Sequence, residues 1–250
     1  MTDLFHAHGH PWLAQRDPRI RVMTALAASI AILALNSYVA STTALALALV
    51  FAGSSNTFTR RVRQRLIGLN LFMLLLIAVL PLAEPGDTMF ALGPLQYARE
   101  GFDRAALIAL NANTVLLVLS SLLGAMDPIH LGLALEQLGL PAKLSRLLLF
   151  TARYIGVIDA EYRQLRRAMR LRAFQPKPDR HTLRAFGYLV GMLLVRALDR
   201  SERIAQAMKC RGFTGHFVVA RATSPGPHDW LFAACACATL AALHGIAVML

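Results

Sequence analysis

Residues 22–59 read VMTALAASIAILALNSYVASTTALALALVFAGSSNTFT, and no side chain in the run is charged. A helix rises 1.5 Å per residue, so a hydrocarbon core about 30 Å thick takes about 20 residues, and the run is too long for one crossing. The polar step Asn36-Ser37-Tyr38 divides it into two short helices, 22–36 and 39–55, joined by a tight turn. Arg60-Arg61-Val62-Arg63-Gln64-Arg65 follows as a short basic loop, which the positive-inside bias assigns to the cytoplasm. The fold class expected is therefore an all-α integral membrane protein.

Further apolar runs complete the pattern. Leu66–Leu82 reads as a third span, closed by Pro81 and followed by an acidic linker reaching Asp103 on the outside. Ala105–Met126 makes a fourth, whose Asn111 and Asn113 are costly to expose to lipid and read as helix–helix glue or as part of a substrate path. Trp230–Leu250 is the fifth. With the 60–65 loop inside, five crossings put the N-terminus inside, the C-terminus outside and residues 127–229 in the cytoplasm. Three regions are expected: 1–126 with the tail and four spans, 127–229 as cytoplasmic coupling helices, and 230–250 as the last span.

Composition agrees. Hydrophobic residues make up 56% and charged residues 16%, with a mean hydropathy of +0.50, whereas soluble domains carry about 25% charge. Lys143–Arg221 holds 17 Lys/Arg and 5 Asp/Glu, so the whole formal excess of +12 belongs to this segment. The start, Met1-Thr2-Asp3-Leu4, has no basic and apolar leader, so no cleaved signal peptide is expected. Cys210, Cys235 and Cys237 imply no disulfide framework.

Within the basic segment the pattern is helical, with breaks at Pro128, Gly139-Leu140-Pro141, Pro176/Pro178 and Gly212. Leu144–Tyr154 and Ala185–Leu198 are apolar but interrupted by arginines, and read as amphipathic helices at the membrane–cytosol boundary; an alternative dips 185–198 into the bilayer. The heptapeptide Ala168-Met169-Arg170-Leu171-Arg172-Ala173-Phe174 returns 39 residues later as Ala207-Met208-Lys209-Cys210-Arg211-Gly212-Phe213. Ile158, Tyr162, Leu165 and Met169 mark one helix face that Arg172 continues. Ala197, Ser201, Ile204 and Met208 do the same before Arg211. Asp159/Arg163 and Asp199/Arg203 are acid-first i,i+4 pairs, each stabilising by about 0.2–0.5 kcal/mol. A basic last turn also complements the helix dipole by about 0.3–1 kcal/mol, which is the competing reading of the arginines. Any cation serves a cap, however, and Met, Arg and Phe recur at identical offsets. Arginine ending an apolar face is what an anchor at a protein interface requires.

These features resemble the transmembrane T subunit of energy-coupling factor ABC transporters, in particular the CbiQ/NikQ type serving cobalt or nickel uptake. The resemblance takes in Asp17-Pro18-Arg19, Gln137-Leu138-Gly139-Leu140-Pro141, Ala152-Arg153-Tyr154 and both basic helix ends. It implies two Ala-Arg-Gly-like motifs, here Leu171-Arg172-Ala173 and Cys210-Arg211-Gly212, that dock into grooves on a pair of ABC ATPase subunits. The arginine is kept in both; the leading alanine is replaced twice and the first glycine is Ala173. The contact set implied is Arg172, Arg211, Met169, Met208, Ala173, Gly212, Phe174 and Phe213. The resemblance further implies a non-catalytic subunit without cofactor, set in the lipid of the cell inner membrane, that passes ATPase movement to a separate substrate-binding membrane subunit. No GxxxxGK[ST] phosphate loop is present for hydrolysing ATP.

Other chemistries fare worse. His6-Ala7-His8-Gly9-His10 can chelate loosely, but the resemblance puts the substrate site on another subunit. Cys235 and Cys237 are turned about 200° apart on a helix and read as packing residues. Asp127, His130 and Glu136 match no zinc or acid/base spacing, and Asp127-Pro128 reads as a helix N-terminus. An integral membrane enzyme needs buried acid/base groups inside the spans, and His244 is nearly alone there. A nucleic-acid binder needs aromatic residues interleaved with the basic ones, and Tyr154, Tyr162, Phe174 and Phe186 are sparse.

Overall fold

The computed structural model describes residues 16–55, 57–83, 88–92, 95–124, 126–213 and 226–249. His6, His8 and His10 lie outside them. The elements in chain order are α1 (Pro18–Leu33), α2 (Tyr38–Ser54), α3 (Arg60–Ala83), β1 (Thr88–Leu92), β2 (Leu95–Ala98), α4 (Arg99–Leu122), α5 (Pro128–Gln137), α6 (Ala142–Leu171), α7 (Arg180–Cys210) and α8 (Pro227–Met249). The chain forms two compact units, Met1–Leu140 with Thr223–Leu250, and Pro141–Ala222.

The first unit is a bundle around α4, against which α1, α2 and α3 all pack, while α8 packs on α1 and α2. Helix α2 buries Ala40, Ala44, Ala48 and Ala52, a stripe of small side chains four residues apart that lets neighbouring backbones approach closely. Leu117 of α4 joins Ala48 and Ala52 in one apolar cluster. Three helical segments, Arg60–Leu80, Gly101–Leu122 and Pro227–Ala247, are long and apolar enough to cross a membrane, and α2 is a shorter apolar helix. The all-α membrane class expected from the sequence is what is found, with one small addition. The expected outer linker contains a hairpin, with Leu92 opposite Leu95 and Thr88 opposite Ala98.

The charge-free run breaks as expected, between Leu33 and Tyr38. The reason is tertiary: Asn111 Nδ2 donates to the Leu35 carbonyl at 3.1 Å, satisfying backbone that the broken helix leaves free. Asn113 forms a reciprocal amide pair with Asn70 of α3, at 3.1 and 3.2 Å. Asn113 thus bonds helix to helix and Asn111 bonds α4 to the link between α1 and α2, both in keeping with the glue reading. The Tyr38 hydroxyl donates to the Asp103 carbonyl at 2.6 Å and ties the start of α2 to α4.

Several boundaries move, and α1 covers Pro18–Leu33 rather than 22–36. Arg60–Arg65 is not a loop but the first turns of α3, because arginine and glutamine are good helix formers and no Gly or Pro interrupts them. Helix α4 ends at Leu122 rather than Met126. There Arg21, 3% exposed, donates Nε to the Leu122 carbonyl at 3.0 Å and Nη2 to the same oxygen. A buried guanidinium thus caps the negative end of α4. Beyond it, a Cβ on Gly124 would lie 2.3 Å from the Ser120 carbonyl, so a side chain does not fit.

The Asp-Pro signals are helix starts. Asp17 accepts from the Arg19 N–H at 2.9 Å, and Asp127 accepts from the Ile129 N–H at 3.1 Å, each followed by proline in the first turn. The Asp17 N–H in turn donates to Asp229 at the start of α8, at 3.4 Å. Helix α5 packs on α1, within the first unit. Cys235 and Cys237 are exposed rather than packed.

Candidate functional site

The second unit is dominated by two long helices of 30 and 31 residues, α6 and α7. The apolar pieces 144–154 and 185–198 are not separate helices; they continue into the basic halves, since arginine interrupts hydropathy without interrupting a helix. Each long helix ends on the repeated heptapeptide, and the two ends have the same backbone.

At the first end Phe174 N–H donates to the Met169 carbonyl at 3.1 Å and Ala173 N–H to the Arg170 carbonyl at 3.0 Å. At the second, Phe213 donates to Met208 and Gly212 to Lys209, both at 3.0 Å. This is the six-to-one and five-to-two pattern of a Schellman cap. The C′ residue takes the left-handed region in both, Ala173 with φ 60° and Gly212 with φ 76°. Arg172 and Arg211 are the C-caps, with φ/ψ of −87°/22° and −90°/13°. Ala173 therefore reproduces the turn that glycine makes in the second copy, at the cost of an L-residue in αL.

This geometry corrects one step of the sequence argument. Met and Phe recur at fixed offsets because they occupy the two positions whose apolar side chains ordinarily accompany this cap. Met169, Met208, Phe174 and Phe213 are all half-buried. The arginines are what capping leaves unexplained. Both are exposed, and neither guanidinium has a hydrogen-bond or ion-pair partner among the described residues. Solvated and unpaired within the described residues, both guanidinium groups are available to a surface outside the chain.

The two ends are not brought together. Met169, Arg172, Ala173 and Phe174 border one groove of about 980 Å³, together with Tyr188, Met192 and Arg196 of α7. Phe174 packs edge-on against Phe186, with ring centroids 6.1 Å apart. None of the second heptapeptide lines that groove.

Sequence reasoning missed the contact between the helices. Glu161 of α6 accepts from Arg196 Nη1 at 3.3 Å and from Arg200 Nη2 at 3.2 Å, one on each oxygen. Its side chain is 13% exposed. The available signal was an acid among arginines, drowned by their number. Asp159 and Arg163 pair at 3.1 Å as expected; Asp199 and Arg203 form no such pair among the described residues. The expected faces are only partly sheltered. Tyr162, Leu165, Met169, Ala197, Ile204 and Met208 are half-buried, while Ser201 and Ile158 are exposed.

No curated protein matches the chain. A family model described as CbiQ, cobalt transport protein, matches residues 9–220, which takes in α1 to α7 and both capped ends. That family is a membrane component of cobalt transport and not a catalytic one, in keeping with the apolar helices of the first unit. The chain belongs to the CbiQ cobalt transport protein family.

Proposed function

We propose that the chain is the transmembrane coupling subunit of an ATP-driven importer of the energy-coupling factor type, working for cobalt or nickel uptake in the cell inner membrane. The observation that carries this reading is the pair of identically capped helix ends, each presenting an exposed arginine without a partner among the described residues. Two equal grips suit two equal ATPase subunits, each with one groove. Nucleotide-driven closure of that pair would move the two ends, and the long rigid helices would carry the movement to a separate membrane protein holding the ion. Such transmission requires nucleotide to bind the open and closed ATPases with different affinity. The basic segment and the arginine-rich start of α3 fit a cytoplasmic placement of these surfaces.

The test is docking. Truncating a buried charged anchor costs about 2–5 kcal/mol. Arg172→Ala or Arg211→Ala should therefore weaken ATPase co-purification at least about tenfold, and the double variant should abolish it with membrane insertion intact. Arg→Lys should rescue only in part, because a point charge does not reproduce a planar fork. A dipole cap contributes at most about 1 kcal/mol and is served as well by lysine. Silent Arg→Lys changes, with ATPases still bound by the double alanine variant, would refute the grip.

A further inference from the structure

The ion triplet between the long helices obeys the same repeat as their ends. Glu161 and Arg200 are 39 residues apart, the offset that relates Arg172 to Arg211. Each therefore lies 11 residues before its own arginine tip, about 16 Å along the helix axis at 1.5 Å per residue. The contact stands at the same point on two arms of equal length.

Little else fixes how these helices cross. Leu189 is the only fully buried apolar side chain among the described residues of α6 and α7, and their other apolar residues are at most half-buried, so apolar packing holds their angle only loosely. The aromatic contact of Phe174 with Phe186 lies beside the first tip, near the start of α7. At the crossing itself there is one carboxylate, mostly sheltered, with a different arginine on each oxygen. Arg196 and Arg200 are four apart on one face of α7. A single ion pair lets two helices swivel about it. Two donors a turn apart, gripping both oxygens of one carboxylate, restrain the swivel as well as the separation.

We propose that Glu161 is a positioning residue, the pivot that sets the crossing of α6 and α7 and holds the two arginine tips in fixed relation. The use of that relation, presenting both tips to an ATPase pair at once, rests on the coupling role proposed above. The pivot itself does not. An ordinary exposed ion pair contributes little and its loss moves nothing, so the two readings separate experimentally.

The experiment places nitroxide labels at the tips of the full-length chain, on Leu171→Cys and native Cys210, with Cys235→Ala and Cys237→Ala. Pulsed electron resonance then reads the distance between them. Glu161→Gln is expected to widen the distance distribution at least about twofold, and the swap Glu161→Arg with Arg200→Glu to narrow it again. In the assembled transporter, Glu161→Gln is expected to raise the ATP hydrolysed per ion imported at least about threefold, while ATPases co-purify within about twofold of the parent. A distribution that Glu161→Gln leaves unchanged overturns the pivot. An unchanged hydrolysis-to-import ratio in a variant with a widened distribution overturns its role in positioning the tips. If the parent chain recruits no ATPase, the coupling role fails, and the distance measurement still decides the pivot.

Discussion

Exchanging the C′ residues of the two caps tests whether both helix ends share one turn. Ala173 has φ 60° and Gly212 has φ 76°, so the first copy holds an L-residue where the second holds glycine. An L-residue in αL costs about 1–2 kcal/mol. Glycine gives back about 0.4–1 kcal/mol through its freer unfolded chain. The net gain for Ala173→Gly is thus about 0.5–1 kcal/mol, and Gly212→Ala should lose the same amount. No heavy atom lies within 4 Å of a Cβ built on Gly212, so steric clash does not add to this. At 1.4 kcal/mol per tenfold, the effect is about two- to fivefold in local opening. Hydrogen exchange at the Phe174 and Phe213 amides reports it directly, because these amides make the six-to-one bonds. Exchange at Phe174 should slow by that factor in Ala173→Gly, and exchange at Phe213 should quicken in Gly212→Ala. ATPase co-purification with Ala173→Gly should stay within about twofold, since the arginine already sits in the right turn. If Phe174 exchange were unaffected or faster, the first end would not be a Schellman cap, and the equivalence of the two grips would fall with it.

Two further outcomes are expected. Single-cysteine labelling in intact cells, after replacement of the native cysteines, should leave positions 63 and 177 beyond reach of an impermeant reagent applied outside; labelling of either would overturn the topology with both basic segments in the cytoplasm. Arg21→Met removes two charge-assisted bonds from the buried Leu122 carbonyl and should cost about 3–6 kcal/mol, at about 1.5–3 kcal/mol for each hydrogen bond to a charged group. It is read as a lower melting temperature in detergent, with Arg21→Lys intermediate; unchanged melting of Arg21→Met would show the cap to be dispensable.

What the sequence disclosed was mostly local. Asp127-Pro128 and the Gly139 step are punctuation whose meaning lies within five residues, and each falls where it was read; Asp17-Pro18 is punctuation of the same kind that starts α1 ahead of the expected 22. The apolar runs announced the bundle, and the repeat announced the two helix ends. The misses have a common cause. That Asn111 bonds the Leu35 carbonyl, and that Arg21 reaches Leu122, depends on partners 76 and 101 residues away. Hydropathy also misjudged α6 and α7, since it registers each arginine as an interruption while the backbone does not. The equal spacing of Met and Phe was legible, but its cause was not. The cap that requires them shows only in backbone angles.

The bond between Arg21 and Leu122 also sets a schedule. The acceptor is made 101 residues after the donor, so at about 5–20 residues per second the newborn α1 waits roughly 5–20 s for it. Throughout that interval the guanidinium lacks this acceptor, and its place just ahead of the charge-free run lets it stay hydrated at the membrane surface. Helix α1 therefore gains this tie to the bundle only once α4 has arrived. Its final seat is taken late, although it is the first helix described in the chain.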